Sequence, residues 1–313
     1  MIKEEFYFDS RDGENRIHAV RYTPDDGNVR GIVQIVHGMA EYVERYENLA
    51  EFLTKRGILV TGEDHLGHGK SVSEGGSFGY FCEQDPATVV VRDVHRLKKI
   101  TEEQYPQVPY IILGHSMGSF IARNYLCRYG SGIDGAVIAG TGMQPAGLIF
   151  ASKAMAGIQK LFCGSKHVSH FMDKAAFGGY NKRIDSPRTS SDWLSRNTEN
   201  VDRYIADELC GFTFTVNGFQ TLFELIRRLQ KQENLEKVPQ NLPILMVSGA
   251  EDPVGDYGKG VHKACDSLKR AGVKNITVKL YENDRHELLN EDDAEAAMED
   301  IWQWICKEVP GIA

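Results

Sequence analysis

The sequence predicts an α/β fold: a mostly parallel sheet of eight strands, helices on both faces, and one inserted helical cap. Three observations carry this. Apolar runs of strand length alternate with stretches of helical period through residues 1–141. The alternation breaks over 142–241 and resumes over 242–313. At one strand-to-helix junction stands the pentapeptide Gly114-His115-Ser116-Met117-Gly118. Strands joined by crossover helices run parallel, and such sheets gather their chemistry at the carboxyl ends of the strands. The expected organisation is a body of 1–141 and 242–313 with 142–241 as the cap.

The elements follow in order. Residues 5–8 and 16–22 read as an opening antiparallel pair, turned at Asp12-Gly13. Residues 31–36 form a buried strand, and 44–56 a helix with Tyr46, Leu49, Phe52 and Leu53 at helical spacing. A strand at 58–61 precedes a long helix, 87–105, with Val90, Val94, Leu97 and Ile100 on one face. The strand 109–113 leads into the pentapeptide, and 119–126 is the helix after it. Residues 133–140 and 244–248 are strands, 258–271 a helix, 276–281 a strand, and 294–307 the closing helix. Within the cap, Leu148, Ala151, Met155, Ile158 and Phe162 share one helical stripe, with Lys153 and Lys160 opposite. Phe219, Leu222, Phe223, Ile226 and Leu229 make a second stripe, backed by Glu224, Arg227 and Arg228. Both stripes are expected to pack on the body. Ile149 and Phe150 add apolar surface beyond the first, which suits a lid over the pentapeptide and a transient contact with a membrane surface.

Composition narrows the function classes. A net charge of −8, with no basic cluster, argues against nucleic acid as partner. No apolar stretch is long enough to span a bilayer, and the first residues lack the apolar core of a secretory signal. The six cysteines are scattered, without metal-ligand spacing, and read as free thiols of a cytoplasmic protein.

Gly-x-Ser-x-Gly between a strand and a helix is the nucleophile elbow. So tight a turn strains the serine backbone and needs small residues two positions away on either side. It pushes the Ser116 hydroxyl out at the sheet edge. A serine hydroxyl is a poor nucleophile at neutral pH, so it needs a base within reach and a third group to orient that base. With such an elbow the chain order is Ser, then Asp or Glu, then His. Of ten histidines only His167, His170, His262 and His286 follow Ser116. The first two lie in the cap, and His262 sits among Lys259, Lys263 and Lys269 on a solvated helix face. His286 stands just after the last strand and is the expected base. Asp252 closes the preceding strand, and Pro253 keeps it out of helical geometry. Glu251 is the alternative acid. The oxyanion needs two backbone donors, expected from Met117 after the nucleophile and Met39 in the loop after strand 31–36.

These segments resemble a known family. His37-Gly38-Met39-Ala40-Glu41 with Arg45-Tyr46 is similar to the His-Gly-x-x-Glu…Arg-Tyr segment of monoacylglycerol lipases and bacterial lysophospholipase-like hydrolases. Asp64-His65-Leu66-Gly67-His68-Gly69-Lys70-Ser71 looks like their Asp-x-x-Gly-His-Gly-x-Ser loop, and the pentapeptide matches their elbow. Gly249, Asp252-Pro253-Val254 and His286 complete the set. The resemblance implies an α/β-hydrolase fold with a cap inserted before the strand that delivers Asp252. Two positions depart from the family: Ser119 replaces a frequent third Gly, and Leu66 a frequent Arg. The resemblance runs over the body on both sides of the cap, about two-thirds of the chain.

The resulting expectation is a serine ester hydrolase that needs no metal or organic cofactor. Glu41, Arg45, Asp64, His65 and His68 read as loop-fixing polar residues, since no thiolate or paired carboxylate supports a metal site at His65 and His68. A monoacylglycerol or lysophospholipid-type ester is the expected substrate. A short-chain carboxylesterase and an aminopeptidase are the alternatives, the latter needing cap carboxylates among Asp173, Asp185, Asp202, Asp207 and Glu208. A non-catalytic binding protein would normally lack a triad member, and none is missing.

Overall fold

Five strands are largely apolar because helices cover both of their faces. They are β3 (Gly31–Val36), β4 (Ile58–Glu63), β5 (Tyr110–His115), β6 (Gly135–Ala139) and β7 (Ile244–Gly249), and every residue in them is buried. β1 (Ile2–Asp9) and β8 (Ile276–Tyr281) are the half-exposed edges, and β2 (Arg16–Thr23) lies inside β1. The computed structural model describes residues 1–312. Its eight strands form one sheet in the order β1-β2-β4-β3-β5-β6-β7-β8. β2 pairs antiparallel with β1 and β4, and every pairing from β4 to β8 is parallel. This is the α/β-hydrolase arrangement expected from the sequence.

Side chains alternate between two cores, as the period of a strand requires. Ile32, Ile112, Ile138 and Met246 face α2 (Pro86–Gln104), α3 (Met117–Tyr129) and α9 (Lys259–Arg270). Their neighbours Val33, Ile111, Val137 and Leu245 face α1 (Glu47–Thr54) and α10 (Ala294–Glu308). Several elements shift their bounds by one to three residues, and two of the shifts have a visible cause. β4 runs on to Glu63, because β2 supplies an antiparallel partner as far as Ala19. The helix expected from residue 44 opens as a 3-10 turn, Val43–Tyr46, before α1 begins.

Between β6 and β7 the chain adds no strand to the sheet. It forms α4 (Ala146–Cys163), α5 (His170–Phe177), α6 (Thr198–Ala206), α7 (Val216–Leu229) and the short α8 (Gln232–Leu235). The stripe on α7 is buried as expected: Phe219, Leu222, Phe223, Ile226 and Leu229 all join the core. The stripe on α4 does not pack, and this corrects the sequence expectation. Ile149 and Ala156 are the buried residues of α4. Lys153 turns towards Glu224 of α7 and Lys160 towards Glu83 of the body, and their ammonium groups pair with these carboxylates. Those carboxylates let the lysine stems lie along the packed side. The helix is thereby rotated, and Phe150 (77%), Leu161 (84%) and Phe162 (84%) are left exposed to solvent.

Candidate active site

Ser116 is the residue between β5 and α3, and its backbone is strained. Its φ of 54° and ψ of −121° lie where non-glycine residues rarely go. Both flanking glycines are required by contact. A Cβ on Gly118 would stand 1.9 Å from the Val36 carbonyl oxygen, and one on Gly114 would stand 2.5 Å from that of Gly118. The Ser116 amide donates to the Ala139 carbonyl (3.0 Å), so the turn is tied to β6.

His286 follows β8 and is buried beside Asp252, which lies in the loop after β7. Its Nδ1–H donates to Asp252 Oδ2 at 3.0 Å. A carboxylate only accepts, so this bond places the proton on Nδ1 and leaves Nε2 as the acceptor. Asp252 is held in turn by the Val254 amide (2.8 Å) and the Ser248 hydroxyl (3.2 Å). Asp252 is buried whereas Glu251 is exposed, so the geometry brings the first and not the alternative acid to His286. His262 is exposed on α9, on the solvated face expected of it. The His286 ring packs between His115 and Trp193, with ring centres 4.7 and 5.1 Å away.

The loop after β3 approaches Ser116 closely. A Cβ on Gly38 would lie 3.1 Å from that of Ser116. The Gly38 amide donates to Glu41 Oε1 (2.5 Å), and the Gly38 carbonyl accepts from His37 Nδ1 (2.8 Å). The peptide is planar and trans, so holding its carbonyl also sets the direction of the Met39 N–H. Met117 opens α3, where its amide has no partner within the helix. Met39, Met117, Ser116 and His286 all line one cavity.

A buried charge network joins these loops. Arg45 bonds Glu41 at 2.8 Å and Glu287 at 2.7 and 2.8 Å. Glu41 also accepts from the Tyr46 hydroxyl (2.9 Å), and His115 Nδ1 lies 3.3 Å away. His115 Nε2 meets the His286 carbonyl at 3.1 Å, and Asn200 of α6 donates to Glu287 at 2.6 Å. Burial alone would raise the Glu41 carboxyl, but His115 and Arg45 hold it well below the usual carboxylate range. Glu287 is likewise lowered by Arg45 against the cost of burial. Burial pushes His37 down to about 3, so its ring is neutral.

The cavity holds about 810 Å³, within the span of small-molecule sites. Phe120 comes from the body, while Leu148, Ile149, Met155, Phe212 and Phe223 come from the segment between β6 and β7. That segment is pinned to the His286 loop: Arg285 donates to the Asp192 and Ser195 carbonyls, and the Glu287 amide to the Leu194 carbonyl (2.7 Å). Arg196 pairs with Asp284 at 2.5 Å. Of the five residues expected at the site, Ser116, His286, Met39 and Met117 line one cavity, and Asp252 is buried behind it against His286. Glu41, Arg45 and Asp64 do fix loops: Asp64 accepts from the Val43 and Lys70 amides and from His18. His65 stacks on His37 with ring centres 4.0 Å apart, and its amide donates to His37 Nε2. Sequence reasoning missed Trp193, Asn200 and Glu287. The only local signal was that Glu287 follows His286.

A family model described as serine aminopeptidase, S33, matches residues 27–293. The chain is 28% identical to a monoglyceride lipase of Rattus norvegicus over 92% of its own length and 86% of that protein's. It is also 28% identical to a monoacylglycerol lipase of Mycolicibacterium smegmatis, over 91% of this chain and 90% of the relative. Among solved structures, a thermostable carboxyl esterase from Bacillus coagulans, in complex with glycerol, superposes with a TM-score of 0.92 at 31% identity, covering 100% of both chains. On these matches the chain belongs to the serine aminopeptidase S33 family of α/β-hydrolases.

Proposed function

We propose that the protein is a serine ester hydrolase acting on esters with an apolar acyl chain, monoacylglycerol or lysophospholipid-type esters foremost. The observation that carries this is the strained Ser116 and the His286–Asp252 pair opening into one largely apolar cavity. His286 Nε2 takes the Ser116 proton as the hydroxyl oxygen attacks the ester carbonyl. The Met39 and Met117 amides hold the oxyanion, and Asp252 orients His286 and stabilises its charged form. His286 then protonates the departing alcohol. Water, activated by the same histidine, releases the acid from the acyl-enzyme. Met39 and Met117 act through the backbone, so their side-chain type matters little to this step.

Residues 142–241 are proposed as the cap that supplies the acyl-binding wall. An amide substrate with a free amine would need unpaired carboxylates in the cavity. Of Asp173, Asp185, Asp202, Asp207 and Glu208, only Asp173 lines it. Asp202 pairs with Arg188, and Asp207 accepts from the Tyr42 hydroxyl. Asp256 lines the cavity too, so the ester reading rests on the largely apolar lining and not on a lack of carboxylates. The exposed Phe150, Leu161 and Phe162 form an apolar patch on the cap, which supports transient contact with a lipid surface. An ester series from acetate to long acyl chains, run beside amino-acid amides, tests the proposal. Activity rising towards medium or long chains is expected. A maximum at acetate, or faster turnover of the amides, would overturn it.

A further inference from the structure

Arg123 is the buried arginine of α3, one turn beyond the elbow, and it has no counter-charge at hand. Its side chain is fully buried. Among the described residues its Nε and Nη2 have no partner, and no carboxylate offsets its charge. Isolated buried charge is costly, so its retention asks for a use. Its Nη1 donates to the Gly142 carbonyl (3.0 Å) and to Thr141 Oγ1 (3.3 Å). Thr141 Oγ1 lies 2.9 Å from Ser119 Oγ, and Ser119 Oγ donates to the Ser116 carbonyl at 2.6 Å.

Proton counting gives this chain a direction. Arginine only donates, and each hydroxyl has a single proton. The short bond uses the Ser119 proton on the Ser116 carbonyl. Ser119 Oγ therefore accepts from Thr141, and Thr141 accepts from Arg123. The chain starts on a cation and ends on the carbonyl of the peptide whose N–H belongs to Met117. The Ser119 amide reaches the same carbonyl at 2.9 Å. A trans peptide points its N–H opposite to its C=O. Every bond accepted by that carbonyl both aims the Met117 N–H and draws electron density from it.

We infer that Arg123, Thr141 and Ser119 form a polarising relay that aims and strengthens the Met117 amide as an oxyanion donor. The inference rests on the proposed role of Ser116 and Met117. All three are positioning residues: none of them lines the cavity. Ser119 is also where this chain departs from the glycine frequent in the resembling family, so the relay belongs to this chain and not to every elbow. A bare glycine there would leave the Ser116 carbonyl with backbone partners alone.

The test compares Ser119→Ala, Thr141→Val and Thr141→Ser with the wild-type protein on a soluble p-nitrophenyl ester. Ser119→Ala removes one hydroxyl and leaves the helix intact, so it keeps the test open if Thr141→Val folds poorly. The relay predicts kcat lower by about five- to tenfold in Ser119→Ala with KM unchanged. A trifluoromethyl ketone, which forms an oxyanion adduct on serine, weakens by the same factor. Thr141→Val shows the same loss and Thr141→Ser restores activity. A kcat within about twofold of wild type in Ser119→Ala, a loss carried by KM, or a Thr141→Ser no better than Thr141→Val overturns the relay. Ser116→Ala runs beside them to separate the two levels. Hydrolysis surviving in Ser116→Ala removes the serine reading and the relay with it, whereas full loss there with unchanged kcat in Ser119→Ala removes the relay alone.

Discussion

Arg45 is the residue whose loss most clearly reports on the buried network. Its guanidinium bonds two carboxylates, Glu41 at 2.8 Å and Glu287 at 2.7 Å, with side-chain exposures of 10%, 4% and 3% for Arg45, Glu41 and Glu287. Arg45→Ala strands both acids in the interior. Breaking a buried pair by removing one partner costs about 3–5 kcal/mol. For a chain of 313 residues that is a fall in melting temperature of roughly 5–8 °C. The pH dependence carries the sign. In the wild type the folded-state values of Glu41 and Glu287 are lowered. Their contribution is therefore present above the unfolded value of about 4.5 and is lost as pH falls through the lower folded one. Without Arg45, burial raises Glu287, whose main partner is gone, while His115 still lowers Glu41. The variant is then weakest at neutral pH and recovers as pH falls towards about 4.5. The difference between variant and wild type should shrink over that interval in thermal or urea unfolding at fixed pH. A variant less than about 1 kcal/mol weaker at pH 7, or a deficit constant down to pH 5, would refute the reasoning.

Further outcomes follow from single contacts. Asp252→Asn is expected to lower kcat by about 10³–10⁴-fold with the fold intact, because His286 loses the acceptor that sets its tautomer; steady-state kinetics beside Glu251→Gln, which should stay near wild type, checks this. Gly118→Ala puts a methyl 1.9 Å from the Val36 carbonyl, so soluble yield should collapse or stability fall by about 3 kcal/mol or more; a normal melting curve would contradict the packing. Burial raises the Glu63 carboxyl to about 8. Its contribution is thus full below the unfolded value of about 4.5 and lost as pH rises through about 8. Glu63→Gln should therefore gain on the wild type as pH rises from 5 to 8, by about 1 kcal/mol or more at the upper end, in paired unfolding curves.

The parts of the site that were legible in the sequence are those whose geometry is local. A strand, a tight turn and a helix announce Ser116 within a dozen residues, and Asp252 and His286 each stand just after a strand whose apolar run marks its end. The partners that were not legible are remote in the chain. Arg45 meets Glu287 across 242 positions, and Asn200 meets it across 87. No periodicity points to Trp193, which sits in the 3-10 turn Asp192–Leu194 rather than in a long helix. On α4 the helical period was right and the facing side was wrong. Periodicity finds a stripe, but which side of α4 turns inward depends on α7, an element remote in the chain, where Glu224 faces Lys153.

The proposed mechanism turns on Ser116 as the nucleophile. The most direct measurement is labelling with a fluorophosphonate ester followed by intact-mass and peptide mapping, on the wild type and on Ser116→Ala. One adduct per chain on the peptide carrying Ser116, absent together with ester hydrolysis in a folded Ser116→Ala, is the predicted result. Equal labelling or hydrolysis in that variant would contradict it.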